Sequence, residues 1–207
     1  MFIELTDHLR CPNDHDESFL VLLPDIMEGR SVRTGQLGCP ICGRTFQLSE
    51  GVLDTGDAPD QETTSALDAD ALTTLVGLHG PGGYLTLVGA AGGLWQEVAA
   101  LNPGVSLVTV NPPADVADSQ SLSVLRAGKL PLKSGSMRGV VLSRPYGDHP
   151  DWVKEAARAV LPGLRVVGEG KDPPVDVVEL LASAGGVWVG TARRSGRYRG
   201  TAVALPP

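Results

Sequence analysis

Two short cysteine segments, Cys11-Pro12-Asn13-Asp14-His15 and Cys39-Pro40-Ile41-Cys42-Gly43, constrain this chain more than any other feature. In the second, two thiols stand three positions apart around a proline, with a glycine behind them. That spacing makes a tight turn that delivers both sulfurs to one metal ion while backbone N–H groups point at the thiolates. The first segment holds a single cysteine. Aspartate stands where a partner at the same spacing would fall, and histidine follows it. An odd count of three cysteines at this spacing argues for metal ligation rather than a disulfide framework, and for a reducing, cytoplasmic setting.

Zinc takes thiolate, imidazole and carboxylate ligands, so both Asp14 and His15 are chemically suitable as the fourth. The knuckle turn presents the residue at its third step, which favours Asp14 beside Cys11, Cys39 and Cys42. His15 is the substitute. The alternative is a metal-free unit whose thiols are small buried hydrophobes. His8, His79 and His149 are isolated and read as surface or capping residues.

The net charge of −7 is unevenly spread. Residues 1–82 carry 14 acidic and 4 basic side chains, whereas residues 83–207 carry 10 and 13. An acidic half beside a mildly basic half predicts two modules that attract each other, and it disfavours a general nucleic-acid binder. The apolar runs fall short of the ~20 residues needed to span a bilayer, and the first residues lack the basic start and apolar core of a signal peptide. Residues 193–199 hold Arg193, Arg194, Arg197 and Arg199 without stacking aromatics, which reads as a solvated turn before a phosphate- or RNA-contacting patch.

Residues 1–55 form the first predicted module. Short strands are expected at 19–23, buried, and at 45–48, with 35–38 leading into the second knuckle and 51–53 closing the unit. So small a unit buries too little apolar surface to fold alone and needs a metal or a partner. The string Leu9-Arg10-Cys11-Pro12, with Gly38-Cys39-Pro40-Ile41-Cys42-Gly43 and then Phe46, Leu48, Gly51 and Val52, resembles the small zinc-ribbon family that activates tRNA, rRNA and protein methyltransferases. That resemblance covers about a quarter of the chain. It implies a zinc ribbon that works by docking on a methyltransferase domain, and it departs from the family at Asp14, where members present a second cysteine.

Residues 56–82 read as a linker and a leading helix, with Asp60 or Thr63 as cap and Leu67, Ala71, Leu72, Leu75 and Leu78 at helical spacing. From residue 83 strands and helices alternate, which predicts right-handed crossovers and a mainly parallel sheet. Strands are expected at 84–88, 105–110, 122–125, 139–143 and 164–167. Helices are expected at 94–101, along Trp152 to Leu161, and along Val177 to Ala184. A closing hairpin is expected from 187–191 to 201–205. With the leading helix in front, this α/β order over residues 62–207 resembles the Rossmann-like fold of class I S-adenosylmethionine-dependent methyltransferases, the Rossmann-like domain itself being residues 83–207.

That resemblance implies a cofactor site at the carboxyl ends of the strands. The glycine turn Gly89-Ala90-Ala91-Gly92-Gly93 would meet it, with Gly89, Ala91 and Gly93 at the family's three glycine positions and Asn111 at the ribose position. Acids are usual two residues before the first glycine, at the end of the second strand and beyond the third. This chain has Leu87, Asn111 and Arg126 there. A hydrogen bond to a charged group contributes roughly 1.5–3 kcal/mol, so losing two weakens binding by roughly a hundred- to ten-thousandfold. Ser143-Arg144-Pro145-Tyr146 shares only Pro145-Tyr146 with the signature of amino-methylating enzymes. The expectation is a methyltransferase-like protein that binds zinc, takes S-adenosylmethionine weakly or not at all, and acts as a non-catalytic partner or regulator. Its own second copy or another protein would be the partner. An active methyltransferase with altered cofactor contacts, and an RNA- or phosphate-binding module, are the alternatives.

Overall fold

The computed structural model describes residues 1–59 and 64–193. The chain opens with a short 3-10 helix, Ile3–His8. Four strands follow: β1 (Val21–Glu28), β2 (Ser31–Gly38), β3 (Thr45–Ser49) and β4 (Val52–Asp54). They make an antiparallel meander in the order of the sequence. β3 alternates buried and exposed residues, with Phe46 and Leu48 facing inward.

Helix α1 (Ala69–Val76) is capped by Asp68, whose carboxylate accepts the Ala71 N–H at 2.8 Å, and it ends at Gly77 in the left-handed conformation. Asp60 and Thr63, the caps expected from sequence, lie outside the described residues. Then come β5 (Tyr84–Val88), a 3-10 turn over Gly89–Leu94, α2 (Trp95–Leu101), β6 (Ser106–Val110), β7 (Leu122–Arg126) and β8 (Met137–Leu142). Helix α3 (Pro150–Ala159) starts on Pro150, which fits the first turn because proline has no N–H to lose there. It runs directly into β9 (Val160–Glu169).

The segment expected as a helix over Val177 to Ala184 is instead strand β10 (Val178–Ala184), paired antiparallel with β11 (Val187–Ala192). Its apolar residues fit a helical period, but Gly185 and Gly186 both take positive φ, 61° and 76°. Two such glycines make the tight turn that joins twisted antiparallel strands, and the hairpin wins over the helix. The expected last strand at 201–205, with Arg194, Arg197 and Arg199, lies outside the described residues.

All eleven strands join one sheet in the order β1-β2-β3-β4-β7-β6-β5-β8-β9-β11-β10. The strands β4, β7, β6, β5, β8 and β9 are mutually parallel, and β11 enters antiparallel beside β9. This is the parallel-rich α/β sheet expected from the sequence, but its antiparallel edge is the β10–β11 hairpin rather than the one expected from 187–191 to 201–205. α1 and α2 cover one face with Leu72, Val76 and Val98 over Leu85, Leu107 and Val124. On the other face, Trp152, Val153 and Ala156 of α3 share one core with Leu5, Leu9, Leu37 and Leu53 of the first module. At the carboxyl end of β9, buried Glu169 accepts the Ser65 hydroxyl and the Ala66 N–H and so anchors the approach to α1.

The two modules meet along a parallel pairing in which Val52, Leu53 and Asp54 face Val124, Leu125 and Arg126. An ion pair between half-buried Arg33 and the buried Asp118 carboxylate, at 3.1 Å, braces the same seam. Leu53 is wholly buried there. Leu53→Ala should therefore destabilise the entire chain by about 2–5 kcal/mol. Trp95, Trp152 and Trp188 all lie in the second module. The shift should appear in a denaturant melt followed by tryptophan fluorescence. A tryptophan transition that stays in place would mean that the two modules unfold independently.

Candidate metal centre and cofactor edge

The knuckle leaves β2 at Cys39 and turns back at Gly43, which has φ 69° and open space around it. The turn is closed by Gly43 N–H to Cys39 O at 3.0 Å and Cys39 N–H to Arg44 O at 2.8 Å. Cys11 is held opposite, its N–H on Ser18 O at 2.9 Å. The structure brings Cys11, Cys39 and Cys42 together with His15, all four ligand atoms within 4.8 Å of one another. Cys11 Sγ lies 3.8 Å from Cys42 Sγ, and Cys39 Sγ lies 3.4 Å from His15 Nε2. A tetrahedral zinc with Zn–S of about 2.3 Å and Zn–N of about 2.0–2.1 Å spaces its sulfurs about 3.8 Å apart and sulfur from nitrogen about 3.6 Å. The donor set fits that ion.

Asp14 is not in the cluster, which corrects the expectation that it supplies the fourth ligand. Residues 13–16 form bends with His15 N–H on Asn13 O, not a repeat of the knuckle turn, so the third step does not face the sulfurs. The longer imidazole reaches back instead. The exposed Asp14 carboxylate points the other way, to Lys129 Nζ at 2.6 Å, and that hydrogen bond and charge hold it below the usual carboxylate range. His15 Nδ1 lies 2.7 Å from Asp16 O, so with the proton on Nδ1 the Nε2 lone pair is free for a metal. Backbone N–H donation from Arg44 and the Asn13 amide bring the Cys42 thiol down to about 6, whereas burial pushes Cys11 up to about 12.

Bonds from this loop fasten it to the second module. Glu17 accepts the Ser134 hydroxyl at 2.7 Å and Arg158 Nη1 at 3.1 Å. An open cleft of about 570 Å³ lies alongside, lined by Arg10, Asp57, Gly128, Lys129, Trp152 and Lys154 among others.

At the carboxyl edge the glycine turn is occupied by the protein's own groups. Gly89 takes φ 72°, and a Cβ there would lie 2.6 Å from Ser143 Oγ and 2.7 Å from the Tyr146 ring. Ser143 donates to Val88 O at 2.7 Å and accepts the Ala91 N–H at 3.3 Å. Ala91 is fully buried, and Gly92 is pressed against Pro112. Gly93 is exposed, with Pro113 its nearest neighbour. Asn111, fully buried at φ 52°, donates from Nδ2 to Ala127 O and accepts the Ala127 N–H on Oδ1, both at 2.8 Å. Tyr146 is also fully buried, its ring 4.6 Å from that of Trp152 and edge-on to it. Burial pushes its phenol pKa up, with Asn111 near enough to pull it partly back. Leu87 belongs to the core beneath.

Sequence reasoning placed Gly89, Ala91, Gly93 and Asn111 at this edge but gave Ser143 and Tyr146 no part in it. Proline and tyrosine after the fourth strand were the available signal.

No family model matches the chain, and no curated protein matches it. Solved structures resemble it in part. A geranyl diphosphate C-methyltransferase from Streptomyces coelicolor A3(2), in complex with Mg2+, geranyl diphosphate and S-adenosyl-L-homocysteine, is 18% identical. That overlap covers 48% of this chain and 43% of that one with a TM-score of 0.43. The pyocyanin biosynthetic protein PhzM is 13% identical over 61% and 55%, at 0.45. The [4+2]-cyclase SpnF is 14% identical over 63% and 56%, at 0.40. The chain spans about half the length of these structures. The fold is defined by its own strand order, and the methyltransferases are what it resembles.

Two outcomes follow from the site geometry. His15→Ala should lower bound zinc well below one per chain, while Asp14→Ala leaves it near one, read by metal analysis of purified protein. Equal losses would place Asp14 among the ligands. Asn111→Asp should destabilise the chain by about 1–3 kcal/mol, because a carboxylate cannot donate to Ala127 O. A protonated acid regains the donor, so the loss should be larger at about pH 8 than at about pH 5, read as the difference in denaturation midpoint from the parent.

Proposed function

We propose that this chain is a non-catalytic, methyltransferase-like protein that carries one structural zinc on Cys11, His15, Cys39 and Cys42 and serves as a partner or regulator of another protein. The observation that carries this reading is Asn111. At the end of the second parallel strand, where a ribose-gripping acid is expected, both polar atoms of the residue are spent on the Ala127 backbone. Leu87 and Arg126 stand at the other two acidic positions. The partner reading draws support from the first module, where Phe19 ahead of β1 and Val21 and Leu23 within it are at 54%, 44% and 62% exposure. Apolar groups clustered on a surface in this way are typical of contact sites. Among the described residues no helix is long and apolar enough to cross a membrane.

Calorimetric titration of the zinc-loaded full chain with S-adenosylmethionine tests the reading. Binding no tighter than the millimolar range is expected. A dissociation constant in the low micromolar range would overturn it and favour an active methyltransferase with altered contacts.

A further inference from the structure

We propose that Tyr146 is a built-in occupant of the cofactor trough, so that the protein holds its own phenol where a diffusible adenosyl ligand would lie. This rests on the methyltransferase-like reading above and goes beyond it by naming the group that closes the site.

The geometry runs from one end of the trough to the other. The Tyr146 ring lies against Gly89 so closely that a Cβ there would meet ring carbons at 2.7 and 2.9 Å. Its hydroxyl is buried beside the Asn111 side chain, at the end of β6. An apolar ring with a polar tip aimed at the ribose position has the outline of a ligand rather than of an ordinary core residue.

The segment that carries Tyr146 is clamped. A Cβ at Gly147 would lie 2.2 Å from Glu169 O, so only glycine lets the chain pass there. Gly147 N–H bonds Ser143 O at 3.2 Å, and Asp148 accepts the Lys171 N–H at 2.7 Å. Ser143, from the same segment, takes the Ala91 N–H of the glycine turn. One short stretch after β8 therefore supplies both the ring that fills the trough and the oxygen that uses up its amide. Trp152 packs edge-on against Tyr146 and lines the open cleft on its other side, so the hollow left without the phenol would lie one side chain from solvent.

The test compares the parent chain with Tyr146→Ala and Tyr146→Phe, all zinc-loaded, by thermal melting and calorimetric titration with p-cresol and S-adenosylhomocysteine. Tyr146→Phe should melt as the parent does and ignore both compounds, because the ring remains. Tyr146→Ala should melt lower, recover on addition of millimolar p-cresol, and bind S-adenosylhomocysteine at least about tenfold more tightly than the parent. If Tyr146→Ala does not fold, Tyr146→Leu, which keeps part of the packing, is read in the same way. A folded variant that gains neither ligand would overturn the proposal. A gain for p-cresol alone would also overturn it, since something other than Tyr146 would then exclude the adenosyl group. Tight binding by the parent would instead refute the non-catalytic reading, so the two failures are told apart.

Discussion

Three residues of parallel pairing, Val52, Leu53 and Asp54 against Val124, Leu125 and Arg126, hold the architecture together. Here the meander supplies a strand to the open edge of β7, so backbone hydrogen bonds run without interruption from β1 to β10. An unpaired parallel edge is a liability for aggregation, and β4 removes it. The same junction decides which face each element covers. With β4 in register, the opening 3-10 helix and the metal loop fall on the α3 side, and their apolar residues complete the core that α3 begins.

The metal loop shows how a short irregular segment gains a fixed shape. Residues 12–17 have no helix or strand to order them. Cys11 and His15 face the thiols of Cys39 and Cys42 on one side, while Asp14 and Glu17 hold the other through Lys129, Ser134 and Arg158. Charge separates the two roles. Three thiolates and a neutral imidazole leave a zinc site with one net negative charge, and a carboxylate ligand would add a second in a half-buried place. Asp14 is better placed on an exposed lysine.

At the carboxyl edge, chemistry that would serve a ligand has been turned inward. An ionised aspartate at position 111 could only accept. Asparagine both donates and accepts, which matches one backbone amide and one carbonyl, and Ala127 offers both. The left-handed backbone at Asn111 is a conformation asparagine tolerates better than most side chains. The glycine turn keeps its tight geometry, yet what approaches Gly89 and Gly92 is Ser143, Tyr146 and Pro112.

The sequence by itself determined the elements with strong local codes. Cysteine spacing fixed the knuckle, β-rich apolar runs fixed the parallel strands, and the loss of acids at Leu87, Asn111 and Arg126 marked the altered edge. It misread Val177 to Ala184 because one apolar pattern suits both a helix and a strand, and the Gly185-Gly186 turn that folds β10 back on β11 decides for the strand. It favoured Asp14 over His15 because spacing assumes a regular turn, whereas the direction of a side chain in an irregular loop depends on what stands opposite it. Lys129 is 115 residues from Asp14 in the chain, and Tyr146 and Gly89 come from the loops after two different strands. Contacts of that range are set when the sheet closes, so the pairing of Asp14 with Lys129 and the approach of Tyr146 to Gly89 were decided by tertiary structure alone.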